Sequence, residues 1–118
     1  KAALPFWEAF FKGIVCNILV CLAVWLALAG RSVTDKIFAV IFPISAFVAA
    51  GFEHSVANMY FIPLGILLKD RIPGSSSETL SWLGLWSNLV PVTLGNIVGG
   101  SVMVALVYYF VYRRPVKG

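Results

Sequence analysis

Charged residues are scarce in this chain: Asp, Glu, Lys and Arg make up 12% of its 118 residues, whereas 60% are hydrophobic. A soluble domain of this size carries about twice that share of charge. The composition therefore excludes an ordinary soluble domain and predicts an integral membrane protein in a lipid bilayer. The basic residues lie mainly at the ends of apolar runs, where they orient and anchor spans. They form no basic face, which excludes nucleic acid as a partner.

Residues that carry chemistry are also few. The chain has one histidine and two cysteines, and their spacing is not that of a zinc site. No Ser or Cys lies in a nucleophile motif, so the sequence predicts no enzyme, no metal and no cofactor. Cys16 and Cys21 fall on different faces of the first apolar segment. We interpret them as small packing residues rather than as a disulfide.

The chain divides into three apolar segments, 5–30, 36–69 and 88–112. Their length and composition predict an all-α membrane protein with three transmembrane segments. The hydrophilic stretch 70–78 is predicted to be a surface loop. The following stretch 79–87 contains two tryptophans and is predicted to be a turn in the membrane interface.

The middle segment is interrupted by residues 51–54 (GFEH), which place a glycine, a carboxylate and the histidine between two apolar runs. Each run, 37–50 and 55–68, has about 14 residues, roughly 21 Å of helix, which is too short to cross about 30 Å of hydrocarbon. We therefore predict two half-helices that meet at an ionisable break, as in channel and transporter sites. The second half-helix should offer unpaired N–H groups and a positive dipole end to a small anion beside His54.

The glycines of the last segment predict a helix contact, and the charges at the span ends predict the orientation in the membrane. Gly95, Gly99 and Gly100 form a small-residue face for close helix contact. Three spans place the 31–36 loop and the C-terminus on one side, with five basic residues against four on the other. The pair Arg113 and Arg114 favours a cytoplasmic C-terminus.

Three strings carry a family resemblance: CNILVCLAVW (16–25), GFEHSVANM (51–59) and PVTLGNIVGG (91–100). The first two resemble the signature segments of the formate/nitrite transporter family, and the third is similar to that family's last-helix motif. The resemblance implies an aquaporin-like subunit of six spans, arranged as two inverted three-span repeats, and an assembly of five subunits. Residues 1–118 match the second repeat only. We therefore expect a fragment of a longer prokaryotic inner-membrane protein, with the first repeat as its missing partner.

The resemblance also implies the residues of a pore. It implies a central histidine with polar residues around it, a vestibule lysine that attracts anions and its acidic neighbour, and apolar constriction residues. The matching pore and substrate-binding residues are His54, Asn17, Asn96, Lys1 and Glu53, and the matching constriction residues are Phe47 and Val20.

Some of these assignments have structural alternatives. His54 lies at a break inside a membrane segment, which favours a functional role over a packed histidine. A buried carboxylate at Glu53 needs a cation or hydrogen-bond donors, for which Lys1 and Asn17 are candidates. Glu53 is either a brace for the break or a group that handles protons or substrate. Asn17 and Asn96 can join helices, line the pore, or do both.

Three functions remain open at this point. The leading hypothesis is transport of small monovalent anions of weak acids, with formate first and nitrite and hydrosulfide as alternatives. In it, His54 donates a proton so that the substrate passes the apolar constriction as a neutral acid. The second hypothesis is an aquaporin-like conduit for neutral solutes. The third is a structural three-span subunit that needs a partner to form any pore.

Overall fold

The computed structural model describes residues 2–71 and 80–113, and this part of the chain is helical, without strands. The helices are α1 (Phe6–Ala29), α2 (Val33–Ala49), α3 (Ser55–Leu68), α4 (Trp82–Ile97) and α5 (Val107–Tyr112). A 3₁₀ turn (Lys69–Arg71) follows α3, and a π-helical segment (Val98–Leu106) joins α4 to α5.

Two helices are long and apolar enough to cross a membrane. They are α1, with 24 residues, and the continuous helix Trp82–Tyr112, with 31 residues. The second helix begins at Trp82, so the predicted interfacial turn over 79–87 is wrong from this residue onward. The reason is local, because Ser81 caps the helix: its side chain accepts a hydrogen bond from the backbone N–H of Gly84 at 3.0 Å. Of the predicted loop over 70–78, residues 72–78 lie outside the described part of the chain.

The two long helices run parallel and touch along their backbones. A Cβ atom built on Gly95 would overlap the carbonyl oxygen of Phe10, and one built on Gly99 would overlap that of Ile14. Further along, the ring of Trp25 packs on Tyr108 with centroids 4.4 Å apart. The small-residue face predicted from the sequence is therefore used inside the chain, against α1, because only glycine lets the two backbones approach so closely.

Helix α2 ends at a glycine whose conformation requires that residue. Gly51 has φ +67°, and it is the one described residue with a positive φ. Its N–H donates to Val48 O at 3.1 Å, and the next N–H, of Phe52, donates to Phe47 O at 3.0 Å. These two bonds form a Schellman motif, which ends a helix and turns the chain away from its axis. The break between α2 and α3 is thus encoded by one glycine.

Two prolines and both cysteines lie inside helices. Pro43 lies inside α2 and Pro63 inside α3, and both helices continue through them. Cys16 is buried and Cys21 is half-buried, and they are not joined to each other. The role of both as packing residues stays a prediction.

Candidate functional site

His54 is the N-cap residue of α3. Its backbone is extended, and its Nδ1 accepts a long hydrogen bond, 3.4 Å, from the backbone N–H of Ala57. An acceptor Nδ1 places the proton of the neutral ring on Nε2, which is therefore a donor. The half-buried ring stacks on Phe47 at a centroid distance of 6.1 Å and an angle of 28°.

Asn96 joins three parts of the fold through one buried side chain. Its Nδ2 donates to Gly13 O at 2.8 Å and to Glu53 O at 3.1 Å. Its Oδ1 accepts from the backbone N–H and from the hydroxyl of Ser55, both at 2.9 Å. An amide has two donor hydrogens and two acceptor lone pairs, so the hydrogen-bonding capacity of Asn96 is filled. These contacts fasten α4 to α1 and to the break.

Asn17 is connected to the same region. Its Nδ2 donates to the backbone carbonyl of Asn96 at 2.6 Å. It also lies against Gly100, where an added Cβ would come within 2.6 Å of this nitrogen. The structure therefore brings Asn17 and Asn96 together. The sequence analysis offered Asn17 as a donor to Glu53, but in the structure its Nδ2 donates to a helix carbonyl instead.

Glu53 is buried, with 2% of its surface exposed. Its Oε2 accepts a hydrogen bond from Asn58 Nδ2 at 2.5 Å, and Asn88 Nδ2 lies 3.4 Å away. Asn58 also donates to Asn88 Oδ1 at 2.8 Å. The sequence analysis missed Asn58 and Asn88 as partners, although an amide in an otherwise apolar membrane helix is a signal of a polar contact. Lys1, the other predicted partner, lies outside the described residues.

Two predicted constriction residues lie in different places. Phe47 and His54 line one cavity of about 160 Å³, whose other walls are mostly apolar; the remaining lining residues are Val48, Gly51, Phe52, Ala57, Asn58 and Phe61. Val20 lines a separate, open groove of about 280 Å³ between α1 and the last helix, beside Cys21 and Trp25. The structure thus gathers Phe47, His54 and Asn58 at one cavity and leaves Val20 outside its walls.

The start of α3 differs from the expectation of unpaired N–H groups. The N–H of Ser55 is bonded to Asn96, and that of Ala57 is bonded to His54. A substrate near this helix end would meet side chains that cap the helix rather than those two amides. Within the described ranges, no three His, Cys, Asp or Glu side chains are arranged to hold a metal ion.

These features are those of one class of membrane protein. A histidine at a half-helix break, next to an apolar cavity and a buried carboxylate, is typical of membrane channel and transporter sites. The model of the family described as formate/nitrite transporter matches residues 1–110. The chain therefore belongs to the formate/nitrite transporter family, and the resemblance found in the sequence is confirmed.

Individual relatives agree with this assignment. The chain is 46% identical over 120 residues to the formate channel FocA of Escherichia coli (strain K12), which covers 92% of this chain and 42% of the relative. It is 50% identical over 113 residues to a probable formate transporter of Methanothermobacter thermautotrophicus, covering 95% of this chain and 38% of the relative. It is 40% identical over 119 residues to the nitrite transporter NirC of Escherichia coli (strain K12), covering 98% and 42% respectively. The relatives are channels and transporters rather than enzymes.

A solved structure shares the fold. A pentameric formate channel with formate bound superposes on 95% of this chain and 48% of that chain, with a TM-score of 0.85 and 42% identity. The chain thus spans less than half the length of the curated relatives and of the solved channel that it matches.

Proposed function

We propose that this chain is the second three-span half of a channel for small monovalent anions of weak acids, with formate as the first substrate. The observation that carries the proposal is the helix break with His54 at the cap of α3, facing an apolar cavity. The 46% identity to a formate channel, of which the chain covers 42%, supports both the substrate and the missing first half. This chain and that first half together make up the six-span protein, and five such subunits form the assembly, as in the similar solved channel.

The middle span of this half is α2, the break and α3. These helices have 17 and 14 residues, or roughly 26 and 21 Å, so neither alone crosses about 30 Å of hydrocarbon. The break then lies inside the bilayer, and the first half contributes the inverted copy of it. The parallel α1 and last helix place Gly30 and Tyr112 at one end, which we assign to the cytoplasm of a prokaryotic inner membrane.

His54 acts on the substrate through Nε2. While Nδ1 caps α3, the neutral ring donates a hydrogen bond to an anion but cannot give up its last proton. Proton transfer requires the imidazolium, in which Nδ1 carries a hydrogen and no longer accepts from Ala57. Protonation of the substrate is therefore linked to release of the helix cap, and this connects flux to pH.

The remaining site residues act around this centre. Lys1 attracts the anion at the vestibule, and Glu53 is its acidic neighbour. Phe47 and Val20 belong to apolar constrictions that oppose a naked anion and admit the neutral acid. Asn17 and Asn96 hold the helices that carry these groups.

A flux panel tests this function. The six-span protein, in proteoliposomes, is given formate, nitrite, hydrosulfide, chloride and glycerol. We expect formate to enter fastest, with a rate that rises as the outside becomes more acidic. Faster nitrite flux would favour the function of the nitrite transporter that is 40% identical to this chain. Glycerol flux without any anion flux would show a neutral-solute conduit and contradict the proposal.

A further inference from the structure

The last helix changes its helical register, the number of residues per turn, where it packs against α1. In its first part the buried residues follow the α-helical spacing of three and four, as in Val92, Gly95, Asn96 and Gly99. Beyond this point the half-buried residues are four apart, at Gly100, Val104 and Tyr108, and the residues between them are exposed. The spacing of four coincides with the π-helical segment Val98–Leu106.

A regular α-helix could not keep this face towards α1. It turns by about 100° per residue, so each step of four residues drifts by about 40°. Counted from Gly100, the drift would reach about 80° at Tyr108, whereas Val107 would lie within about 20° of the original direction. The i→i+5 bonds of a π-helix widen the turn and oppose this drift. The π register therefore brings Tyr108 onto Trp25, with ring centroids 4.4 Å apart.

Two side chains interfere with the α-helical hydrogen bonds where the π-helical segment begins. Asn17 Nδ2 donates to the backbone carbonyl of Asn96 at 2.6 Å. The Ser101 hydroxyl donates to the next carbonyl, that of Ile97. In an α-helix these carbonyls accept from the N–H groups of Gly100 and Ser101, four residues later. A side chain that takes such a carbonyl competes with the backbone bond and distorts the helix locally, so these two contacts account for the change of register.

The register decides which side chains lie beside Val20. The open groove of about 280 Å³ that contains Val20 is lined on the last helix by four residues, Gly100, Val104, Ala105 and Tyr108. In an α-helical register, Val107 would take the place of Tyr108 in this wall. Because valine fills less space than tyrosine, the groove would then be wider.

We propose that Asn17 and Ser101 are positioning residues that hold the last helix in the π register, and that this register sets the width of the apolar groove beside Val20. The inference rests on the proposed function, in which Val20 belongs to an apolar constriction. The groove then favours the smallest weak acids, because the Tyr108 ring limits the space beside Val20. Ser101 acts through the helix backbone and the position of Tyr108, without touching the substrate.

The first measurement determines the register by cross-linking, in a six-span protein whose own cysteines are replaced by alanine. Trp25→Cys is combined with either Tyr108→Cys or Val107→Cys. In the π register, a short thiol cross-linker should join positions 25 and 108 faster than positions 25 and 107. Ser101→Ala should reverse this preference, whereas Ser101→Thr, which keeps the hydroxyl, should retain it.

The second measurement compares the flux of formate with that of propionate, a bulkier weak acid, in proteoliposomes of the six-span protein. We expect Ser101→Ala to lower the ratio of formate to propionate flux by about threefold, because the wall beside Val20 loses the tyrosine. Ser87→Ala is the matched control. The Ser87 hydroxyl also donates to a carbonyl of its own helix, Gly84 O at 2.9 Å, but in the α-helical part. This variant should leave both the flux ratio and the cross-linking preference unchanged.

Three outcomes would overturn the inference while formate flux persists. Faster cross-linking at positions 25 and 107 in the unaltered protein would show that the π register is wrong. An unchanged preference in Ser101→Ala would show that Ser101 does not hold the register. A reversed preference with an unchanged flux ratio would show that the register does not control the groove. If the unaltered protein moves no formate above protein-free liposomes, it is the proposed function that fails, and the cross-linking still tests the register.

Discussion

Asn96 offers the sharpest test of whether a polar residue at this site holds helices together or contacts the substrate in the pore. Its side chain makes four hydrogen bonds, to Gly13 O, Glu53 O and two groups of Ser55. Asn96→Leu keeps the volume and removes all four. We expect the six-span protein to lose a large part of its stability, because the lost partners are buried between helices.

The magnitude can be worked from the partners. The Ser55 hydroxyl can rotate to another acceptor, and Gly13 O lies within α1, where a helix bond shares the carbonyl. The Ser55 N–H at the start of α3 and Glu53 O in the break have fewer alternatives. Two buried groups left unsatisfied cost about 2–6 kcal/mol together. Asn17→Leu, which removes one bond to a helix carbonyl, should cost only about 0.5–1.5 kcal/mol.

Equilibrium unfolding in detergent or lipid measures both variants against the unaltered protein. If Asn96 holds the helices together, Asn96→Leu should lower the free energy of unfolding several-fold more than Asn17→Leu does. If Asn96→Leu keeps normal stability and loses formate flux, the reasoning from its hydrogen bonds is wrong, and Asn96 contacts the substrate instead.

The break and the assembly can be tested in the same six-span protein. His54→Asn should keep the cap of α3 and abolish the pH dependence of flux. His54→Phe should abolish the pH dependence and also lose the cap, which should destabilise the protein by about 1 kcal/mol. A pH profile like that of the unaltered protein would contradict both expectations. Gly51→Ala should lower the free energy of unfolding by about 1–2 kcal/mol, because the φ of +67° is strained for alanine. No atom lies within 4 Å of the added Cβ, so unchanged stability would refute the strain argument. Gly99→Ala should separate α1 from the last helix, since the added Cβ meets backbone atoms of Ile14, and should lower stability by more than Gly51→Ala. Native mass spectrometry of the six-span protein should show a pentamer, and a stable monomer or dimer would contradict that assembly.

Much of the fold is predictable from the sequence because membrane helices must satisfy their backbone within each segment. The apolar runs therefore locate the helices, and the second half-helix is predicted at 55–68, where α3 lies. The start of the last helix is missed, because Trp82 and Trp86 are interpreted as interface markers. An interfacial tryptophan marks depth in the bilayer and does not show where a helix begins. That start depends on the Ser81 cap, a weaker signal in the sequence.

The site is predicted less completely, because a motif names positions without giving their partners. The sequence singles out His54, Asn17, Asn96 and Glu53, but it offers Asn17 as a donor to Glu53. The structure assigns Asn17 to the carbonyl of Asn96 and brings in Asn58 and Asn88, which lie on different helices. Such pairings depend on how each helix is rotated about its own axis. That rotation is set by contacts between helices, such as those at Gly95 and Gly99, and a motif in the sequence does not contain it.

Hydrogen bonds explain how the Glu53 carboxylate can be buried between apolar helices. Its Oε2 accepts hydrogen bonds from amide nitrogens on α3 and α4, so the Asn58 and Asn88 dipoles balance part of its charge. In the proposed channel, a naked anion is opposed by the apolar surface of the cavity beside His54, whereas the neutral acid is not. The buried Glu53 carboxylate is therefore compatible with the proposed anion channel, because its Oε2 is bonded to amides of the chain itself.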